Sequence, residues 1–183
     1  MLNQIHDSMR GALLELDQWL FSRNKKLEIA LVGAIAVATY THEVRFTQDI
    51  DTAEKIEDLE ILDQIRSLSK KHELPTEWLS DRASTFTSPD GMFERLKEVY
   101  TGQAIQVMAA SREDLIALKA AAYVNRGAEV LKDYEDLQHL KVTRDELDRA
   151  IEFVKLKCAP PVDKNPWKAQ FEQSLKELRG LTK

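Results

Sequence analysis

The feature that most constrains this chain is an order of pieces between residues 27 and 53. "LEIALVGA" is an almost continuous apolar run that stops at Gly33, the pattern of a buried strand entering a tight turn. "AIAVATYTHE" follows, small and apolar, and suits a short helix packed closely on a sheet. "TQDIDTA" then sets Ile50 between Asp49 and Asp51, which predicts a strand with one apolar and one acidic face. Two carboxylates on one face repel unless solvent, a proton or a cation lies between them. The pair is therefore either a solvated strand end or a metal site. The glycine turn favours the second reading, because it lets backbone approach a phosphate while the next helix offers free N–H groups to an anion. Asp49 and Asp51 could then hold a divalent ion of the magnesium kind that bridges to those phosphates.

The remaining segments frame this piece. "NQIHDSMRGALLELDQWLFSRN" places Ile5, Met9, Leu13, Leu16 and Leu20 at helical spacing. "KIEDLEILDQIRSLSKKH" reads as an amphipathic helix with Ile56, Leu59, Leu62, Ile65 and Leu68 on one stripe. "ELPTEWLSDRASTFTSPDG" is rich in turn formers and predicts irregular structure with at most one short strand. Trp78 in it reads as a core plug. "QAIQVMAAS" alternates as a strand does. After Ser111 only helices are expected: one capped by that serine and stopping at Gly127, one over "AEVLKDYEDLQHLK", one opened by a Thr143–Glu146 capping box, and one over "WKAQFEQSLKELRG". The predicted organisation is an α/β lobe over residues 1–110 and a helical lobe over 111–183.

Composition excludes several classes. A net charge of -5 argues against nonspecific DNA or other nucleic-acid binding. One cysteine, Cys158, leaves no internal disulfide and fits a reducing compartment. There is no signal-peptide pattern and no apolar run of about 18 residues, so the expectation is a cytoplasmic protein with no membrane partner. His6, His42, His72 and His139 are scattered without metal-ligand spacing.

"LVGAIAVATYTHEVRFTQDID" resembles the first motif of nucleotidyltransferase-fold proteins, in which a hydrophobic-Gly-Gly/Ser turn precedes a D-x-D strand. Arg45, Thr47, Asp49 and Asp51 match the Arg-x-Thr/Ser before D-x-D that is typical of the AbiEii/AbiGii-type branch and its uncharacterised bacterial relatives. That branch continues with L-x-x-K-x-x-A, an arginine and K/R-D-x-x-D-L. Here "LIALKAAA" supplies Lys119, Arg126 follows, and "KDYEDL" supplies Lys132, Asp133 and Asp136.

The resemblance implies an α+β fold of the DNA polymerase beta-like nucleotidyltransferase type, a small mixed sheet with flanking helices plus a C-terminal helical lobe. It implies that Asp49 and Asp51 hold Mg2+ or Mn2+, and that Gly33, Ala34, Arg45 and Thr47 contact a nucleoside triphosphate. Lys119 would offset charge on the triphosphate, with Asp133 facing the same cleft. The implied reaction is nucleotidyl transfer to a protein or RNA acceptor. Two departures support an alternative. Ala34 stands where the second small turn residue is Gly or Ser, and "QAIQVMAAS" lacks a third carboxylate, Gln106 holding its middle and Asp81 being the nearest substitute. The alternative is a catalytically degenerate module that senses nucleotides or serves as a toxin–antitoxin or defence partner. Three residues also have plain structural readings. Lys119 could snorkel to water, Lys132 could pair locally with Asp136, and Arg45 could simply tie down its strand.

Overall fold

The computed structural model describes residues 5–41, 47–126, 131–159 and 165–182, with backbone only at 165 and 166. Five strands and seven α-helices occur among the described residues. They form two compact units, Met1–Phe86 with Gly91–Ser111, and Thr87–Asp90 with Arg112–Lys183.

The first unit is built on one mixed sheet. Its strands are β1 (Leu27–Val32), β2 (Ile50–Thr52), β3 (Leu79–Ser80), β4 (Lys97–Thr101) and β5 (Ile105–Ala109), in the order β3-β2-β1-β5-β4. β1 runs parallel to β5, with Leu27 opposite Ile105 and Leu31 opposite Ala109. It runs antiparallel to β2, with Leu31 opposite Thr52 and Val32 opposite Asp51. One face is wholly buried: Leu27, Ile29, Leu31, Ile105, Val107, Ala109, Ile50 and Leu79 all point into the core. Two helices supply the rest of that core. α1 (Asp7–Ser22) buries Met9, Leu13, Leu16 and Leu20 at the predicted spacing, and α3 (Leu59–Lys71) buries Ile61, Ile65 and Leu68. The apolar stripe of α3 is displaced from the expected one. Asp58 caps the helix by accepting the N–H groups of Glu60 and Ile61, so Leu59 is left on the first exposed turn.

Trp78 is fully buried and donates its indole N–H to the Ile65 carbonyl at 3.0 Å, which pins α3 to the segment entering β3. β4 is the strand that the sequence reading missed. It is an edge strand whose side chains are exposed or half-buried, and its pairing with β5 is broken by a bulge between Glu98 and Tyr100. A strand with no buried face leaves no period-two signal.

The second unit is helical. α4 (Arg112–Arg126) packs on α5 (Lys132–His139), α6 (Arg144–Lys157) and α7 (Asn165–Arg179). The Thr143–Glu146 capping box forms in both directions at the start of α6. Glu146 also accepts from Arg112 at 2.7 Å, which ties α6 to α4. That guanidinium beside it, with further donors from Thr143, lowers the Glu146 carboxyl to a pKa of about 2.

Candidate functional site

Gly33 begins α2 (Gly33–Ala38) with φ +71, in the left-handed region that favours glycine. A Cβ at this position would lie 2.1 Å from Asp51 Oδ2. The Asp51 carboxylate therefore occupies the volume that a side chain on residue 33 would need. The ladder explains the approach, because Asp51 pairs with Val32, the residue before the turn. Ile50 and Thr52 are buried on the core side, while Asp51 is half-buried on the opposite face. Asp49, one residue before β2, is exposed, and the Thr47 hydroxyl donates to its carboxylate. Ala34 is buried, so its methyl belongs to the packing under α2. Arg45 lies outside the described residues. The structure thus seats Asp51 against Gly33 and joins Thr47 to Asp49, two residues earlier in the chain.

The strand positions around this turn correct two expectations. Gln106 pairs with Glu28, whereas Asp51 pairs with Val32. Those rungs are four residue steps apart along β1, about 13 Å at strand rise. Gln106 is therefore at the far end of the sheet, where its amide donates to Glu98 at 2.9 Å. On Asp51's face, across the upper half of β1, stand Met108 of β5, opposite Ala30, and Ala110 just after β5, whose N–H donates to the Leu31 carbonyl. Asp81 does not substitute either. Ser80 holds the rung opposite Asp51, and the Asp81 carboxylate accepts the Ile56 N–H at 3.0 Å, tying down the chain after β2. Among the described residues no group of three or more His, Cys, Asp or Glu side chains is placed to hold a metal. The donor set of Asp49 and Asp51 fits magnesium all the same, since that ion commonly takes one or two carboxylates and completes its shell with phosphates and water. Just past β2, burial and secondarily Glu28 push the Glu54 carboxyl above its ordinary range.

The helical unit holds the other predicted residues. Lys119 is 8% exposed, and its ammonium lies 3.1 Å from Asp133 and 2.6 Å from Asp136. Arg126 reaches the second Asp133 oxygen at 2.9 Å. Asp133 and Asp136 are buried at 2% and 1% exposure. Lys119 does not snorkel to water, and Asp136 pairs across to α4, leaving Lys132 exposed on its own helix. Sequence spacing suggested the local pair because i, i+4 partners are the nearest on one helix. It could not show that α5 turns Asp136 inward. On α4, Tyr123 donates to Glu177 of α7 at 2.5 Å, and burial raises its own pKa.

A family model described as "Nucleotidyltransferase of unknown function (DUF6036)" matches residues 9–152. The chain belongs to this nucleotidyltransferase family. The match runs through both units, from α1 into α6, and so includes the acid pair and the buried ion cluster. Comparison with curated proteins and with solved structures finds no match. The mixed five-stranded sheet and its flanking helices fit the family's fold.

Proposed function

We propose that this DUF6036 chain binds a nucleoside triphosphate with a divalent metal at the Gly33–Asp51 turn and transfers its nucleotidyl group to a protein or RNA acceptor. The observation that carries the reading is the seating of Asp51 against Gly33, with Asp49 oriented by Thr47 beside it. Asp49 and Asp51 would hold Mg2+ or Mn2+. When bound, the ion supplies Lewis-acid polarisation of the phosphoryl oxygens and offsets developing negative charge. This chain's own residues orient and exclude. The Thr47 hydroxyl fixes one carboxylate, the missing Gly33 side chain leaves room for the other, and the Gly33–Ala34 backbone borders the nucleotide. Such transfer needs mostly positioning and electrostatic stabilisation. Arg45 is assigned to the nucleotide by its place in the motif.

The roles of Lys119 and Asp133 rest on the resemblance to the AbiEii/AbiGii-type motif. Their buried pairing makes a stability loss the first expectation for Lys119→Met. Labelling by that variant, at a temperature where it is folded, decides whether the lysine also serves transfer. A second reading, nucleotide binding without turnover, is favoured by Met108 on β5 and Ala110 just after it standing where a third carboxylate could sit. Incubation with each labelled nucleoside triphosphate, Mg2+ and cell extract separates the two. A labelled macromolecule that disappears in the Asp49→Asn/Asp51→Asn variant supports transfer. A metal-dependent rise in melting temperature without labelling supports binding alone, and neither response refutes both.

A further inference from the structure

We infer that Gly33 is a positioning residue for Asp51, serving the metal site by vacating the space in which the carboxylate is held. The inference rests on the reading of Asp49 and Asp51 as metal ligands and adds a role for the glycine that backbone approach to a phosphate does not require. An ideal Cβ on residue 33 meets Asp51 Oδ2 at 2.1 Å, Cγ at 2.9 Å and Cβ at 3.0 Å. One side or the other must move.

The strand cannot easily be the one that moves. Asp51 is held on the rung with Val32 and Thr52 on the rung with Leu31. The Thr52 side chain is buried, and its hydroxyl accepts the Ala30 N–H at 3.1 Å. Ile50 beside it is buried in the core, and its N–H donates to the Trp78 carbonyl at 2.7 Å. With the backbone of β2 fixed on both sides, the displacement falls on the Asp51 carboxylate by rotation about its side-chain bonds. A methyl group on residue 33 therefore changes where the metal ligand points while leaving its charge in place.

Residue 33 also has φ +71, so any L side chain there is strained regardless of the space around it. A double-variant cycle on the full chain separates the two effects. Metal-free melting temperatures are compared for wild type, Gly33→Ala, Asp51→Ala and the pair together, and Mn2+ binding is measured by calorimetry. Backbone strain is the same in both backgrounds, whereas the collision with the carboxylate exists only when Asp51 is present. The expected result is a smaller melting loss from Gly33→Ala in the Asp51→Ala background. Folded Gly33→Ala should also bind Mn2+ about tenfold or more weakly, as supporting residues around metal ligands do when changed. Equal melting losses in the two backgrounds overturn the inference. If Gly33→Ala alone does not fold, recovery of a cooperative transition in the double variant supports it, and no recovery overturns it. Wild type that fails to bind Mn2+ refutes the metal reading, while the metal-free cycle still decides the seating of Asp51.

Discussion

The α/β unit contains the same device twice, with opposite outcomes. At Gly102, as at Gly33, an aspartate carboxylate fills the space of an absent side chain: a Cβ there would lie 2.5 Å from Asp17 Oδ2. Asp17 comes from the core face of α1, is 5% exposed, and accepts the N–H groups of Gln103, Ala104 and Ile105 at 2.9, 2.7 and 2.8 Å. Its oxygens are committed to the turn between β4 and β5. Asp51 sits on the sheet face away from the core, next to exposed Asp49. A glycine beside a carboxylate is thus no mark of a ligand site. What separates the two is burial and place: Asp17 is a buried carboxylate holding three backbone donors of one turn, whereas Asp51 is half-buried and lies two residues from an exposed carboxylate.

The hardest test of this contrast is Asp17→Ala against Asp51→Ala in urea denaturation. Removing Asp17 strands three N–H donors, two of them at buried residues, and should cost about 3–5 kcal/mol, whereas Asp51→Ala should stay within about 1 kcal/mol. Similar losses would erase the distinction. The next effect is on ligand response. Asp49→Asn with Asp51→Asn should leave the melting temperature unchanged or raised, because like-charge repulsion is relieved. The same variant should lose a metal–nucleotide stabilisation of about 2.7 kcal/mol at a hundredfold excess over Kd. Retention of that stabilisation in a thermal-shift titration would move the site elsewhere.

Glu146 extends the comparison to a structural carboxylate of the helical unit and gives it a pH axis. Its folded pKa of about 2 lies below the ordinary value of 4.5, so its contribution is full above 4.5 and is lost as pH falls toward 2. Glu146→Gln should cost about 1–2 kcal/mol at neutral pH, after discounting for its partial exposure, and the difference from wild type should vanish near the acid end of that window. A gap that stays constant from pH 6 to about 2 would remove the charge from the explanation. The smallest effect is expected at Thr47. Thr47→Val should change stability by no more than about 0.5 kcal/mol yet weaken Mn2+ binding, and Thr47→Ser should restore it. Equal binding by all three forms would show that the hydroxyl does not orient Asp49.

Much of this was legible in the sequence, for reasons that vary by element. β1, α1 and the capping box of α6 announce themselves because each couples a local pattern to burial. The Gly33–Asp51 neighbourhood was legible from the order strand, glycine, helix, D-x-D. β4 was not, because its side chains face solvent on an edge. The misplacement of Gln106 is a matter of register: the sequence shows a strand but not which rung meets which, and only the pairing of β1 with β5 sets Gln106 opposite Glu28. Asp17 was hidden for a different reason. It sits in a helix whose other core residues are apolar, and its donors are backbone groups 86–88 residues away, which no side-chain pattern reports. Asp136 was misassigned because its partner Lys119 is on another helix.

That separation sets a timetable for folding. The carboxylate on α1 cannot find its donors until the chain has grown to Ile105, which lies 88 residues downstream. The central strand β1 must likewise wait for its parallel neighbour, since Leu27 pairs with Ile105. At ribosomal rates of 5–20 residues per second, that delay is about 4–18 s. Through it, the apolar face of β1 and the stripe of α1 are synthesised without the edge that completes them. Closing such long loops is slow compared with forming helices. The nascent N-terminal half of this protein is therefore the stretch that most needs shielding, and the arrival of the last strand is the step that ends its exposure.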